Sequence, residues 1–343
     1  MGGKIIGQED PRTLAQLRHL VNGYRVTQAL HVAATLGIAD LLAAGPRSSD
    51  DLAAATDTHP DALYRLLRAL ASAEVFREEE DRRFALTDLG NGLRSDAPSS
   101  VAGWAAFVGD PYHWQAWGSL LYSVRTGENA FRHVHGTDPW TLRAGDLERS
   151  AAFDRSMTSL SRLVATPVLD VYNVGRCRTV VDVAGGNGAF LAALLTRYPA
   201  ARGVLFDQPH VVSGASPLLE SSGVADRCEV VEGNFFKAAP TGGDAYVLQS
   251  ILHDWEDPDF IRILRTCRQS MEDGAALLVV ERDLGQANED AEAKFSDLNM
   301  LVGPGGWEGA PEAYAALFEA AEFRFVGYTP SPAGTGVYEG AAA

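Results

Sequence analysis

The residues with chemical potential cluster in the second half of the chain, beginning with Val180-Val181-Asp182-Val183-Ala184-Gly185-Gly186-Asn187-Gly188 ahead of Phe190-Leu191. This is an apolar run that ends in an acid and opens into a tight turn. Glycine at 185, 186 and 188 permits positive φ and lets the backbone approach a ligand, with a helix N-terminus just behind it. Dinucleotide folds and P-loop proteins use glycine in the same place. No Gly-Lys-Ser/Thr follows, so a P-loop is excluded, and the residues downstream must choose between a dinucleotide and another nucleoside.

Ligands of open α/β sheets sit outside the carboxyl ends of the strands, so the residues that follow each strand are the informative ones. After the second strand comes Asp207, 25 residues beyond Asp182, where a carboxylate can accept both hydroxyls of a ribose. After the third comes Gly233-Asn234-Phe235-Phe236, an amide and an aromatic face suited to adenine. The fourth is followed by Gln249 and Ser250 and then by His253-Asp254-Trp255. A dinucleotide needs a second phosphate-facing surface, which these acids do not favour. An adenosine ligand that carries a cation fits better, and S-adenosylmethionine is such a ligand.

The elements that must hold these groups are read from periodicity. Strands are expected at 179–183, 203–206, 228–231, 245–248 and 276–280 with helices between them, which makes a parallel, doubly wound sheet. Arg324–Tyr328 and Gly336–Gly340 read as an antiparallel edge hairpin. Asp257-Pro258 suits an N-cap and first helical position, before the apolar face of Phe260, Ile263, Leu264, Cys267 and Met271. From Leu14 to about Ser100 the spacing is helical, with Ser49-Asp50-Asp51 offered as an N-cap and Leu63, Leu66, Leu67 and Leu70 on one face. Val75-Phe76 and Phe84-Ala85-Leu86 around an acidic tip read as a hairpin, which gives a winged-helix arrangement. Its acidic tip would repel phosphate, so dimerisation is the better reading than DNA binding. Between Gly103 and Asp170 the chain is helical and rich in aromatic residues.

A chain of 343 residues with 46% hydrophobic and 22% charged residues suggests two soluble domains, without the ~18 apolar residues of a membrane span. The net charge of −16 disfavours nucleic acid. Met1–Asp10 lacks a basic start and apolar block, so the expected compartment is the cytoplasm. Three scattered cysteines, Cys177, Cys228 and Cys267, read as reduced core thiols.

Five segments in order then carry a resemblance: 181–188, Phe206-Asp207-Gln208-Pro209-His210-Val211, Glu232-Gly233-Asn234-Phe235-Phe236, Leu252-His253-Asp254-Trp255-Glu256-Asp257 and Asp297-Leu298-Asn299-Met300-Leu301. Together they resemble the small-molecule O-methyltransferases of the plant caffeate and bacterial polyketide-tailoring type. The resemblance implies an α/β fold: a Rossmann-like class I methyltransferase domain with a mainly helical, winged-helix-like N-terminal dimerisation domain. It implies residues 1–100 for dimerisation, 101–170 as a helical linker to the acceptor pocket, and 171–343 for S-adenosylmethionine binding and catalysis.

By the same resemblance His253 is the general base, flanked by Glu281 and Glu308. The cofactor residues are Ser161, Asp182, Ala184, Gly185, Gly186, Gly188, Asp207, Gln208, Asn234, Phe235, Gln249 and Ser250. The acceptor residues are Trp104, Phe153, Met157, Asp254, Asn299, Met300 and Trp307, with no metal. Ala184 replaces the family's first glycine, Asn234 its usual aspartate and Gln249 a common lysine, while 305–310 reads Gly-Gly-Trp-Glu-Gly-Ala. The expected protein is a homodimer that methylates a phenolic hydroxyl of an aromatic, polyketide-like metabolite and releases S-adenosylhomocysteine, with no nucleic-acid or membrane partner. The alternatives are a relative that has turned the scaffold to a hydroxylation or pericyclic step, and a DNA-binding ligand sensor.

Overall fold

The computed structural model describes residues 11–342. The reading of Met1–Asp10 lies outside the described residues. The chain forms two compact units, Met1–Asp110 and Pro111–Ala343.

In the first unit, α1 (Pro11–Val21), α2 (Gly23–Thr35), α3 (Ile38–Leu41), α4 (Ser49–Thr56), α5 (Pro60–Ser72) and α6 (Ala102–Val108) accompany strands β1 (Arg47–Ser48), β2 (Phe76–Glu79) and β3 (Arg83–Leu86). The expected hairpin is β2–β3, and β1 adds a third antiparallel strand in the order β1-β3-β2. The cap of α4 is Ser48 rather than Ser49. Ser48 is extended and its hydroxyl accepts the Asp51 amide at 3.1 Å, which a residue already inside the first turn cannot do. Leu63, Leu67 and Leu70 bury the inner face of α5 against Ile38, Leu52, Phe76 and Phe84. Leu14, Leu17, Leu20, Val21 and Tyr24 stay exposed on α1 and the start of α2.

The second unit begins with α7 (Pro111–Gly118), α8 (Leu120–Thr126), α9 (Ala130–His135), α10 (Pro139–Ala144) and the long α11 (Leu147–Val171). The sheet strands are β4 (Thr179–Val183), β5 (Arg202–Asp207), β6 (Cys228–Glu232), β7 (Ala245–Gln249), β8 (Ala276–Arg282), β9 (Phe323–Pro330) and β10 (Thr335–Ala342). The helices among them are α12 (Ala189–Arg197), α13 (Pro209–Val212), α14 (Ser216–Ser221), α15 (Asp257–Ser270), α16 (Ala291–Val302) and α17 (Pro311–Ala320).

The sheet order is β6-β5-β4-β7-β8-β10-β9, with β4 to β8 parallel and the last hairpin antiparallel. The central strands are near-continuous apolar runs because helices cover both faces. Val180, Leu205, Val247 and Leu278 point into one core, and Val181, Tyr246, Leu248 and Val279 into the other.

One expectation holds here and one is corrected. The expected hairpin closes one side of the sheet, with β9 at that edge, β6 at the other, and β10 internal because it pairs with both β8 and β9. The N-cap of α15 is Glu256, which leaves Asp257 and Pro258 in the first turn. Strand β8 also runs two residues past Val280, since Gly336 pairs with Glu281 and Thr335 with Arg282. That extension seats Glu281 at the carboxyl edge of the sheet, beside the ends of β4, β5 and β7. Among the described residues, no helix is long and apolar enough to cross a membrane.

Candidate active site

The glycine turn leaves β4 with Ala184 in the left-handed region at φ 58°, followed by Gly186 at 61° and Gly188 at 82°. The Ala184 amide is held by the Phe206 carbonyl at 2.7 Å, which ties the turn to β5. Asp182 is 1% exposed and lies under this turn, where a Cβ on Gly185 would stand 2.5 Å from its Oδ2. Burial, then the charge of Asp207, push its carboxyl up to about 7. Asp207 accepts the Gly186 amide at 2.9 Å and the Gln208 amide at 2.6 Å, one on each oxygen. Burial raises its pKa against the lowering effect of those two amides. Each oxygen keeps a second lone pair, enough for a ribose diol.

Asp154, which sequence reasoning passed over, belongs to this acidic group. It is pushed up to about 6 by burial and by Asp207, against Arg143 and Arg155. Its only sequence signal was its place on α11 between Phe153 and Met157. On the same helix the Ser161 hydroxyl donates to Gln249 Oε1 at 2.7 Å, and Gln249 Nε2 donates to the Ser250 hydroxyl at 2.5 Å. Ser250 adopts φ 55° after β7, a second strained non-glycine residue at the strand ends. Asn234 is exposed, and its Oδ1 accepts the Phe236 amide at 2.8 Å. That turn orients Phe235 and Phe236, whose rings meet Trp255 edge-on at 5.8 and 4.8 Å.

His253 lies in a short helical turn after β7, with its side chain 14% exposed. Its Nδ1 is 3.0 Å from Glu281 Oε2 and 3.2 Å from Glu308 Oε1, while Nε2 is 3.6 Å from Asp254 Oδ1. Glu281 does two jobs. Its Oε1 accepts the amides of Ile251 and Leu252 at 2.9 and 2.8 Å, which fixes the turn that carries His253. Its Oε2 faces the ring. Glu308 accepts the Ser296 hydroxyl at 2.7 Å, and its own amide donates to Asp297 Oδ1 at 3.0 Å.

Burial alone would lower the pKa of the imidazolium, but Glu281, Glu308 and Asp254 hold it well above the ordinary value. Burial would raise Glu308, and the His253 charge and the Ser296 hydroxyl bring it below the usual range. Burial pushes Asp254 up to about 7, against the pull of His253 and Arg143.

Around this cluster Trp140 stacks with Trp255 at 5.7 Å and meets Phe153 edge-on at 5.8 Å, so Phe153 of α11 faces the aromatic group. Arg143, 8% exposed and unforeseen from sequence, lays its guanidinium 3.7 Å from the Phe153 centroid. Met157 is half-buried one turn further along. Asn299 accepts the Trp117 indole N–H at 3.0 Å, and Met300 is 5% exposed. Trp307 turns its indole N–H to Asp257 at 2.9 Å and packs between Phe260 and Tyr314. Trp104 belongs to the first unit, where it packs on Phe107 at 5.7 Å.

The O-methyltransferase domain profile matches residues 117–324, and the O-methyltransferase dimerisation domain profile matches residues 18–96. The chain belongs to the O-methyltransferase family. It is 40% identical over 323 residues to a phenazine O-methyltransferase from Lysobacter antibioticus, covering 94% of each chain. The crystal structure of LaPhzM superposes with a TM-score of 0.93 at 39% identity, over 96% of this chain and 99% of that one. The neocarzinostatin-pathway O-methyltransferase NcsB1, solved with S-adenosylmethionine and 2-hydroxy-5-methyl naphthoic acid, matches with a TM-score of 0.76 at 32% identity, over 93% and 96%.

The enzyme is an S-adenosylmethionine-dependent O-methyltransferase. Its residues fit that cofactor: both carboxylate oxygens of Asp182 are buried without a partner beneath the turn, and Asp154 and Asp207 add negative charge for a cationic ligand.

Proposed function

We propose that the enzyme methylates a phenolic hydroxyl of an aromatic secondary metabolite, with His253 as general base. The observation that carries this reading is the placement of Nδ1 against two buried glutamates, which keeps the proton on Nδ1 when the imidazolium gives up its Nε2 proton and so frees the Nε2 lone pair for the acceptor. When bound, S-adenosylmethionine supplies a sulfonium methyl whose transfer to the acceptor oxygen leaves S-adenosylhomocysteine.

The chain's residues then do the rest. Asp207 holds the ribose, the amides of the Ala184–Gly188 turn line the nucleoside, and Phe235 with Asn234 faces adenine. Ser161, Gln249 and Ser250 hold the remainder of the donor. Trp140, Phe153, Met157 and Trp255 hold a flat acceptor ring. His253 accepts the phenolic proton at Nε2. A phenol with pKa near 10 is only about 0.1% ionised at pH 7, so a base of raised pKa is closely matched to it.

No metal is assigned. The ligand-type atoms of His253, Glu281 and Glu308 lie within 4.8 Å of one another, and an imidazolium between the two carboxylates offsets one of their two charges. The exposed apolar stripe of α1 and α2, together with the dimerisation profile that begins at residue 18 and covers Leu20, Val21 and Tyr24, supports a homodimer formed through the first unit. Mass spectrometry of reactions with isotopically labelled donor and a panel of aromatic phenols tests the reading. Labelled O-methyl product supports it. A hydroxylated product, or methylation only of amines, would overturn it.

A further inference from the structure

The loop that brings Glu308 to His253 leaves the C-terminus of α16, and that end is held from outside the helix. Pro304 has no N–H, while the amides of Gly303 and Gly305 go to the Asn299 and Met300 carbonyls at 2.8 Å each. The Leu301 and Gly303 carbonyls are left to another element. Asn129 meets both, its Nδ2 donating to the Leu301 oxygen at 2.9 Å and to the Gly303 oxygen at 2.9 Å. The acceptor of the same side chain is committed elsewhere. Asn129 is the N-cap of α9, with extended backbone, and its Oδ1 accepts the Arg132 amide at 2.9 Å. One half-buried carboxamide thus spends its acceptor on the start of one helix and its two N–H groups on the end of another.

Both sides of this joint are anchored. Phe131 of α9 is 1% exposed and meets Tyr112 of α7 edge-on at 5.9 Å, and His135 Nε2 bonds the Tyr112 carbonyl at 2.8 Å. The Trp117 indole of α7 adds a second tie to α16 at Asn299. On the other side the chain runs from Gly303 through Gly306, which abuts the His253 backbone, to Glu308, whose Oε1 is 3.2 Å from Nδ1.

We propose that Asn129 is a positioning residue for the base: by joining the start of α9 to the end of α16 it fixes the 303–308 loop and so holds Glu308 against His253. This inference rests on the reading of His253 as the base. Without the two donations the end of α16 loses its anchor, the loop relaxes, and Glu308 withdraws from the ring. The other groups at the ring come from other elements. Glu281 faces it from β8 and Asp254 from its own turn, while Arg282 acts on Glu308, Tyr314 of α17 on both glutamates and Arg143 on Asp254. None of these lies on α9, so a change at Asn129 reaches the ring through the loop.

The test is the pH dependence of kcat/KM in Asn129→Asp, which keeps the acceptor that caps α9 and loses both donors to α16. The rising limb moves to lower pH by about one unit and kcat falls about tenfold or more, with the KM for donor within about twofold. The ring-proton NMR titration of His253, assigned by its loss in His253→Gln, moves with the limb. Asn129→Ser, whose hydroxyl still caps the helix but is one bond shorter, gives the same shift and covers the case in which a carboxylate at 129 unfolds the loop. In a Glu308→Gln background Asn129→Asp adds no further shift, because the two changes act on one contact. A cap that serves stability alone lowers the thermal midpoint and leaves limb and titration in place, and that result in the folded variants overturns the inference. A shift in the Glu308→Gln background as large as in wild type overturns it as well. His253→Ala separates the two readings: full turnover there removes the base, and the NMR titration still decides whether Asn129 sets Glu308 against the ring.

Discussion

Gly306 lies against the backbone of His253. A methyl group at position 306 would overlap the His253 carbonyl oxygen and stand 2.5 Å from the Trp255 amide nitrogen. This contact is how Glu308, two residues on, comes within 3.2 Å of the imidazole. Glycine is needed here for close approach of two backbones rather than for a positive φ.

Gly306→Ala therefore shifts the His253 turn away from Glu308. A displacement of about 1 Å at a reacting group costs on the order of 10²-fold in rate. We expect a loss of kcat of that size with donor affinity within about twofold, read from steady-state kinetics and calorimetric titration. Wild-type kcat in this variant would show that the close approach is dispensable.

His253→Ala removes the base without touching the glycine turn or Asp207. Turnover should fall by roughly 10² to 10⁴ while S-adenosylmethionine binding is retained. Equal losses in binding and turnover would point instead to a collapsed site.

The raised pKa of His253 fixes a direction for the pH profile. At neutral pH the free enzyme holds an imidazolium, so kcat/KM should climb with unit slope as pH rises above neutrality and level off above the folded pKa. The stability effect runs the opposite way. A pKa raised on folding contributes stability that is complete below about 6.5 and is lost as pH rises through the folded value. Chemical denaturation at pH 6 and pH 9 should show that loss in wild type and a smaller one in His253→Gln. A rate that peaks below pH 6 would contradict the assignment.

Ala184 holds φ 58° without being glycine. The left-handed conformation costs an alanine about 1 to 2 kcal/mol, and glycine pays about 0.5 to 1 kcal/mol in backbone entropy. Ala184→Gly should thus be slightly stabilising, by roughly 0.5 kcal/mol, with activity preserved. A clear fall in the thermal midpoint would mean that the Ala184 methyl makes a contact worth more than its strain.

If the base cluster is a charged pair and no cation bridges it, excess chelator leaves the rate unchanged. A loss that magnesium restores would assign the three side chains to a metal instead.

The sequence alone was enough for the parallel strands along the chain, the glycine turn, and the positions of Asp207 and His253 after their strands. Each is a local signal: an apolar run, a turn residue, a polar group at a strand end. Both helix caps were misplaced by one residue, Ser48 rather than Ser49 and Glu256 rather than Asp257, because the cap is set by where the backbone turns helical. What the tertiary structure decided were the relationships over long separations. Glu281 reaches His253 only because pairing with β10 extends β8 past Val280, and Glu308 reaches it only because Gly306 admits the loop. Asp154 and Arg143 carry no motif of their own. Burial beside other charges is what gives them chemistry, and burial is a property of the folded chain.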